Sequence, residues 1–262
     1  MADLIRPAKS GNNWTFYDLE SYHISLNPVD PLQFFGLKEL PHPSVDQELL
    51  DNLEAAAMQE DRHAELINLH NLTKIPDDDE TAVTDFTVKL FDVLGYTRRD
   101  RVARTQMNLD LFVCGETKPT KTDVCVVDFP WNQVILLVQA DRRLENASAT
   151  KPYAQLVAKA VAAFDRNNQF RRWGTGLPRL TETIIPGIVM VGTSPVFFKI
   201  PVTETLWTHI RHGSYPPEET RVIYCYPPVP HPPCSWSEGM MPLENRREIL
   251  ECFEAFKALV GI

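Results

Sequence analysis

"TDVCVVDFPWNQVILLVQADRRLE", Thr122 to Glu145, is the stretch that decides how the chain is read. It holds two apolar runs parted by Pro130 and Trp131, and a connection that short makes the runs antiparallel neighbours. The second run, Val134 to Val138, is apolar at every position, as in a strand covered on both faces. It closes on Asp141, Arg142 and Arg143, while Asp123 opens the first run. Charges at the ends of buried strands are either an exit into solvent or a site, and the face each one takes decides between them.

Upstream, "NLDLFVCG" (Asn108 to Gly115) reads as a third strand, joined by the turn-like "ETKPTK". The three runs are therefore expected to form a meander. Before them, "KIPDDDETAVTDFTVKLFDVLGY" reads as a helix with acids in its first turn, an apolar face through Val83, Phe86, Leu90 and Leu94, and Gly95 as its stop. After them, "KPYAQLVAKAVAAFDRNNQFRRW" reads as a long helix, "GIVMVG" as a strand and "PVFFKIPV" as its hairpin partner. An earlier helix is expected from Ser44, with a stripe of Val45, Leu49, Leu50, Leu53, Ala56 and Ala57 and capping-box spacing between Ser44 and Gln47. Toward the end, "TETLWTHIRHG" suggests a short helix, "TRVIYCY" a strand, and "ENRREILECFEAFKALVGI" an amphipathic helix.

The fold class these elements define is α/β or α+β, a mixed sheet flanked by helices, with N- and C-terminal decorations. Residues 1–43, rich in Pro and aromatics without clear period, are expected to form an irregular arm, and 44–262 a single domain with its core at about 78–202 and an extension at 203–262. Composition limits the function classes. No apolar run reaches the roughly 18 residues of a membrane span, and the net charge of -9 argues against indiscriminate coating of nucleic acid, which needs Lys and Arg against phosphates. The five cysteines are odd in number and widely spaced and no apolar leader opens the chain, so an intracellular setting, cytoplasmic or nuclear, is expected.

The order α-β-β-β-α-β, with an acid on the second strand and an acidic-basic cluster closing the third, resembles the core of PD-(D/E)XK nucleases, the restriction-endonuclease-like fold, and the surrounding text is similar to the fungal branch of proteins with that core. The resemblance runs over roughly Glu80 to Val202, on Asp123 in "TDVCVV", the "LLVQADRR" strand, Gln155 in "YAQLVAKAVAAF", and "PGIVMVGTSPVFFKI". It implies a metal-dependent nuclease, acting on DNA more readily than RNA, that holds Mg2+ or Mn2+ between strand carboxylates, with a lysine two residues beyond the second acid. The metal ligands so implied are Asp123, Asp141 and, from the preceding helix, Glu80, with Asp79 next. Arg142 and Arg143 would stabilise the phosphate and Gln155 would support the site.

Three registers are open. Aligned with the fungal branch, Ala140, Asp141 and Arg142 occupy the acid, intervening and lysine positions, and the acid is lost. One residue later, Asp141, Arg142 and Arg143 retain the acid, with Arg in place of Lys; Arg stays protonated and cannot share proton-transfer work. A third arrangement sets Asp123, Gln139 and Asp141 on one metal-facing side, with the Gln oxygen as a neutral ligand. Since Val134, Leu136 and Val138 are expected to share a face with Ala140, and Ile135, Leu137 and Gln139 with Asp141, hydrophobicity does not choose.

Arg98, Arg99, Arg101 and Arg104 form a cluster suited to nucleic-acid phosphates if it converges with Arg142–Arg143 and Arg171–Arg172. His209 and His212 have the spacing of helical metal ligands, without a third ligand nearby in sequence. Two functional readings follow, an active though weakened metal-dependent nuclease and a catalytically inactive pseudo-nuclease that binds nucleic acid or protein.

Overall fold

The computed structural model describes residues 6–75, 81–141, 150–230 and 238–262. Their framework is a seven-stranded mixed sheet, ordered β1-β9-β8-β7-β6-β5-β2, with helices on both faces. Its strands are β1 (Ile24–Pro28), β2 (Arg101–Thr105), β5 (Val124–Asp128), β6 (Val134–Asp141), β7 (Glu182–Val191), β8 (Ser194–Thr203) and β9 (Thr220–Cys225). β3 (Asn108–Val113) and β4 (Glu116–Lys121) form a separate two-stranded hairpin. The helices are α1 (Phe16–Ser21), α2 (Pro31–Phe35), α3 (Glu48–Asp51), α4 (Asp61–Leu72), α5 (Thr81–Leu94), α6 (Lys151–Thr175), α7 (Glu204–His212) and α8 (Leu243–Val260).

The centre is β5 antiparallel to β6 and β6 parallel to β7, with α6 as the crossover a parallel pair requires. On one face, α6, α7, α1 and the β3–β4 hairpin cover Cys125, Leu137, Val189 and Val191; on the other, α5 and α8 cover Val124, Val126, Leu136, Val138 and Met190. That two-sided cover explains why the second run carries no polar residue before Gln139.

The expected three-strand meander is corrected. "NLDLFVCG" pairs not with β5 but with "ETKPTK", the segment read as a turn, and the neighbour of β5 is Arg101–Thr105. An edge strand needs little apolar surface, so arginines are tolerated in it. The helix expected from Ser44 is also corrected. It lasts from Glu48 to Asp51; Asn52 turns extended, and the Arg246 guanidinium takes the carbonyls of Leu49 at 2.9 Å and Asn52 at 2.8 Å. A tertiary donor thus ends a helix that the apolar stripe would have continued. Nor is the N-terminal segment irregular. It carries α1, β1 and α2, β1 pairs in parallel with β9, and Trp14, Leu19, Tyr22 and Phe34 are buried.

A bulge alters the expected faces of β6. Val126 pairs with Leu136 but Val127 with Val134, so β6 advances two residues against one. Val134 therefore joins Leu137 on the α6 face, and Ile135 packs with Leu136 on the other.

Candidate functional site

The C-terminal end of β6, the N-terminal end of β5 and one face of α6 meet at a small polar cluster set into apolar surroundings. Val124 faces Val138 across the β5–β6 ladder, which sets Asp123 opposite Gln139. Ala140 donates its backbone N–H to Asp123 Oδ2 at 2.8 Å and fixes the carboxylate. From α6, Lys159 donates to Gln139 Oε1 at 2.6 Å and lies 3.5 Å from Asp123 Oδ1. Only 1% of Lys159 is exposed, and burial holds its amine below the ordinary lysine range, with the neighbouring Asp123 charge acting in the opposite direction.

The ladder to β7 gives the faces beyond the bulge. Gln139 pairs with Val189 and Asp141 with Val191, both on the α6 side, whereas Ala140 pairs with Met190 on the α5/α8 side. Asp123, Gln139, Asp141 and Lys159 therefore share one face. Asp123 and Asp141 are diagonal neighbours, about 7–8 Å apart at Cα for such a pair. The register that aligns Ala140 with the family acid puts that position on the opposite face from Asp123.

Gln155 lies one turn before Lys159, on the same side of α6. Its Nε2 donates to Asn12 O, in the turn Gly11–Asn13, so it holds the N-terminal segment against the helix. Gly11 N–H donates to Thr120 Oγ1 at 2.9 Å and clips the same turn to β4. Glu80, Asp79, Arg142 and Arg143 lie outside the described residues.

Among the described residues, the β2 arginines do not all share one face. Arg98 and Arg99 are exposed at the entry to β2. Arg101 and Arg104, three apart on that strand, point to opposite faces: Arg104 pairs with Cys125 on the α6 side, while Arg101 Nε donates to Tyr96 O at 3.3 Å. Arg171 and Arg172 stand 12 and 13 residues beyond Lys159 on α6, about 18 Å along the helix. There Asn167 holds both backbone groups of Val134, at the opposite end of β6 from Asp141. Asp128 accepts from Gln133 N at 2.7 Å and closes a turn, and His209 Nδ1 pairs with Ser214 Oγ at 2.8 Å.

The residue that sequence reasoning missed is Lys159. Its signal was present: it is the only charge between Lys151 and Asp165, in a helical stretch otherwise apolar or small apart from Gln155 and Tyr153. A buried lysine persists only where something answers its charge.

Among the described residues, no three His, Cys, Asp or Glu side chains converge, and no helix is long and apolar enough to cross a membrane. The donor set on the α6 face is two carboxylates and one amide oxygen, which fits a hard divalent cation in kind. No protein-family profile matches the chain, and no curated protein matches it closely enough to count as a relative.

Proposed function

We propose that the chain is a metal-dependent phosphodiesterase of the PD-(D/E)XK kind, acting on DNA more readily than RNA, in which Lys159 of α6 replaces the lysine that β6 lacks. The observation that carries this reading is the approach of Lys159 Nζ to Asp123 and Gln139 on the face shared with Asp141. The succession α5, β2, β5, β6, α6, β7, with a hairpin inserted after β2, supports it. Asp123, Asp141 and the Gln139 oxygen would hold Mg2+ or Mn2+, and the bound ion would supply an acidified water and charge neutralisation at phosphate. Ala140 N–H fixes the Asp123 carboxylate, Gln139 orients the lysine, and Lys159 holds a proton within reach of both oxygens.

The same geometry also favours a second reading. The Lys159 ammonium lies against both Asp123 and Gln139, as a bound cation would, and a built-in cation is what a pseudo-nuclease that binds without cutting would carry.

Cleavage of supercoiled plasmid, single-stranded DNA and RNA with Mg2+ and Mn2+, run beside Asp123→Ala and Asp141→Ala, tests the first reading. Loss of cleavage in both variants is expected; activity that survives Asp123→Ala removes the mechanism. No cleavage in any lane, with no stoichiometric Mn2+ binding by calorimetry, selects the second.

A further inference from the structure

The α6 face of the sheet continues past Lys159 toward β2, the last strand in the order. Lys159 lies against Asp123, and Asn167 holds Val134, the partner of Val127. Arg166, two turns beyond Lys159 on the same side of α6 and next to Asn167, therefore stands over β5 between those two levels, beside Cys125 and Val127. The β2 partner of Cys125 is Arg104, which is exposed and points to this same face.

The electrostatics agree with that placement. Burial raises the Cys125 thiol above its ordinary range, and Thr122 and then the charges of Arg104, Arg166 and Lys159 oppose it. Burial and then the Arg104 charge hold the Arg166 guanidinium below the ordinary arginine range. Among the described residues neither arginine forms an ion pair, and Arg166 Nε is out of solvent without a partner. Asp165, its neighbour in sequence, is taken by Arg179 at 3.3 Å. Two neighbouring guanidinium groups without an acid repel one another, and a phosphate between them relieves the repulsion while accepting from both.

The stripe of α6 that carries Lys159 and Arg166 goes on through Phe170 and Trp173, four and seven residues after Arg166. The Arg166 guanidinium lies 4.6 Å from the Phe170 ring centroid, the Arg172 guanidinium lies 4.8 Å from that of Trp173, and Trp173 is 76% exposed. A guanidinium pair followed about 10 Å along the helix by an exposed indole is a phosphate holder followed by a stacking platform. A duplex keeps its bases stacked on one another, so the base that reaches the indole is an unpaired one.

We infer that α6 carries a track for single-stranded nucleic acid, on which Arg104 and Arg166 hold a backbone phosphate and Trp173 stacks a base. The inference rests on the reading of the Asp123 face as a nucleic-acid site, and it sets the path of the strand from Lys159 toward Thr175.

The test is the fluorescence anisotropy of a labelled oligo(dT) of about 12 nucleotides in EDTA, where no metal-dependent cleavage runs. The double variant Arg104→Gln/Arg166→Gln is expected to bind about tenfold more weakly, with a salt slope shallower by about 0.7, the value for one phosphate of a single strand. Arg62→Gln/Arg247→Gln removes two exposed arginines from α4 and α8, on the opposite side of the sheet, and is expected to change neither. Trp173→Ala is expected to weaken binding about tenfold at every salt concentration, without altering the slope. Undetected binding by the wild type, equal losses in the two double variants, or a duplex of the same length bound as tightly overturns the inference. The expected pattern in a protein that cuts nothing with Mg2+ or Mn2+ keeps the track and removes the phosphodiesterase. Cleavage that needs Asp123 and Asp141, with binding indifferent to Arg104 and Arg166, keeps the phosphodiesterase and removes the track.

Discussion

Lys159 Nζ stands 2.6 Å from Gln139 Oε1, a helix residue and a strand residue joined inside the protein with Asp123 as the third member. Removing one member leaves the others buried with unanswered polarity, so Lys159→Met is expected to destabilise the fold by about 2–3 kcal/mol in urea unfolding. The figure lies below that for fully buried pairs because the Asp123 side chain is 22% exposed. In a double-mutant cycle with Asp123→Asn, a coupling of about 1–2 kcal/mol is expected. Additive effects would mean that the two charges do not sense one another.

His70 is expected to make stability depend on pH. Burial first, then the Lys74 and Arg246 charges, push its pKa down from 6.5 to about 4, and the Asn71 hydrogen bond opposes them. The unfolded chain binds the proton first, so the contribution is complete above pH 6.5 and is lost as pH falls through 4. It amounts to about 3 kcal/mol between neutral pH and pH 4. Urea titrations across this pH range should show the loss for the wild type and not for His70→Phe. Parallel pH profiles would show that the histidine is not held neutral.

Gly11 and Gly174 are expected to respond to alanine with opposite signs. A Cβ on Gly11 would stand 2.9 Å from the Thr120 side chain and 3.1 Å from Ala158 Cβ, between β4 and α6. Gly11→Ala should cost about 1–3 kcal/mol. On Gly174, inside α6, the nearest atom would be 3.9 Å away on Phe170, and Gly174→Ala should stabilise by about 0.5–1 kcal/mol through helix propensity. Denaturant midpoints check both, and a neutral Gly11→Ala would mean that the turn is not clamped between the hairpin and the helix.

What was legible in the sequence followed period. α5, α6 and α8 show a helical apolar face, and β6 to β8 are apolar runs, so they could be read without tertiary knowledge. α4 was missed because two of its buried positions are His63 and His70, counted as polar by any hydrophobic period; a carboxylate, Glu48, makes His63 acceptable inside. β2 was hidden by arginines, and β4 by Thr, Lys and Pro, since hairpin pairing with β3 needs no apolar alternation. In the candidate site, strand alternation grouped Gln139 with Asp141, but the Ile135 bulge and the arrival of Lys159 from α6 depend on packing between elements distant in sequence.

The faces of β6 give the sharpest test of the site. Gln139→Glu places a second carboxylate beside Lys159 on the Asp123 face, where a hard cation would gain a charged oxygen in place of a neutral one. On the metal-dependent reading, Mn2+ affinity should rise about tenfold or more, since ligand charge is what tunes such sites. Ala140→Glu, one residue on, turns its carboxylate toward the apolar α5/α8 layer beside Met190. It should destabilise the fold by about 2–4 kcal/mol and leave Mn2+ affinity unchanged. Calorimetry and urea unfolding on the two variants separate the registers. Should Gln139→Glu raise stability without any gain in Mn2+ binding, the new carboxylate pairs with Lys159 alone, and the lysine is the permanent occupant of the cation position, as the pseudo-nuclease reading requires.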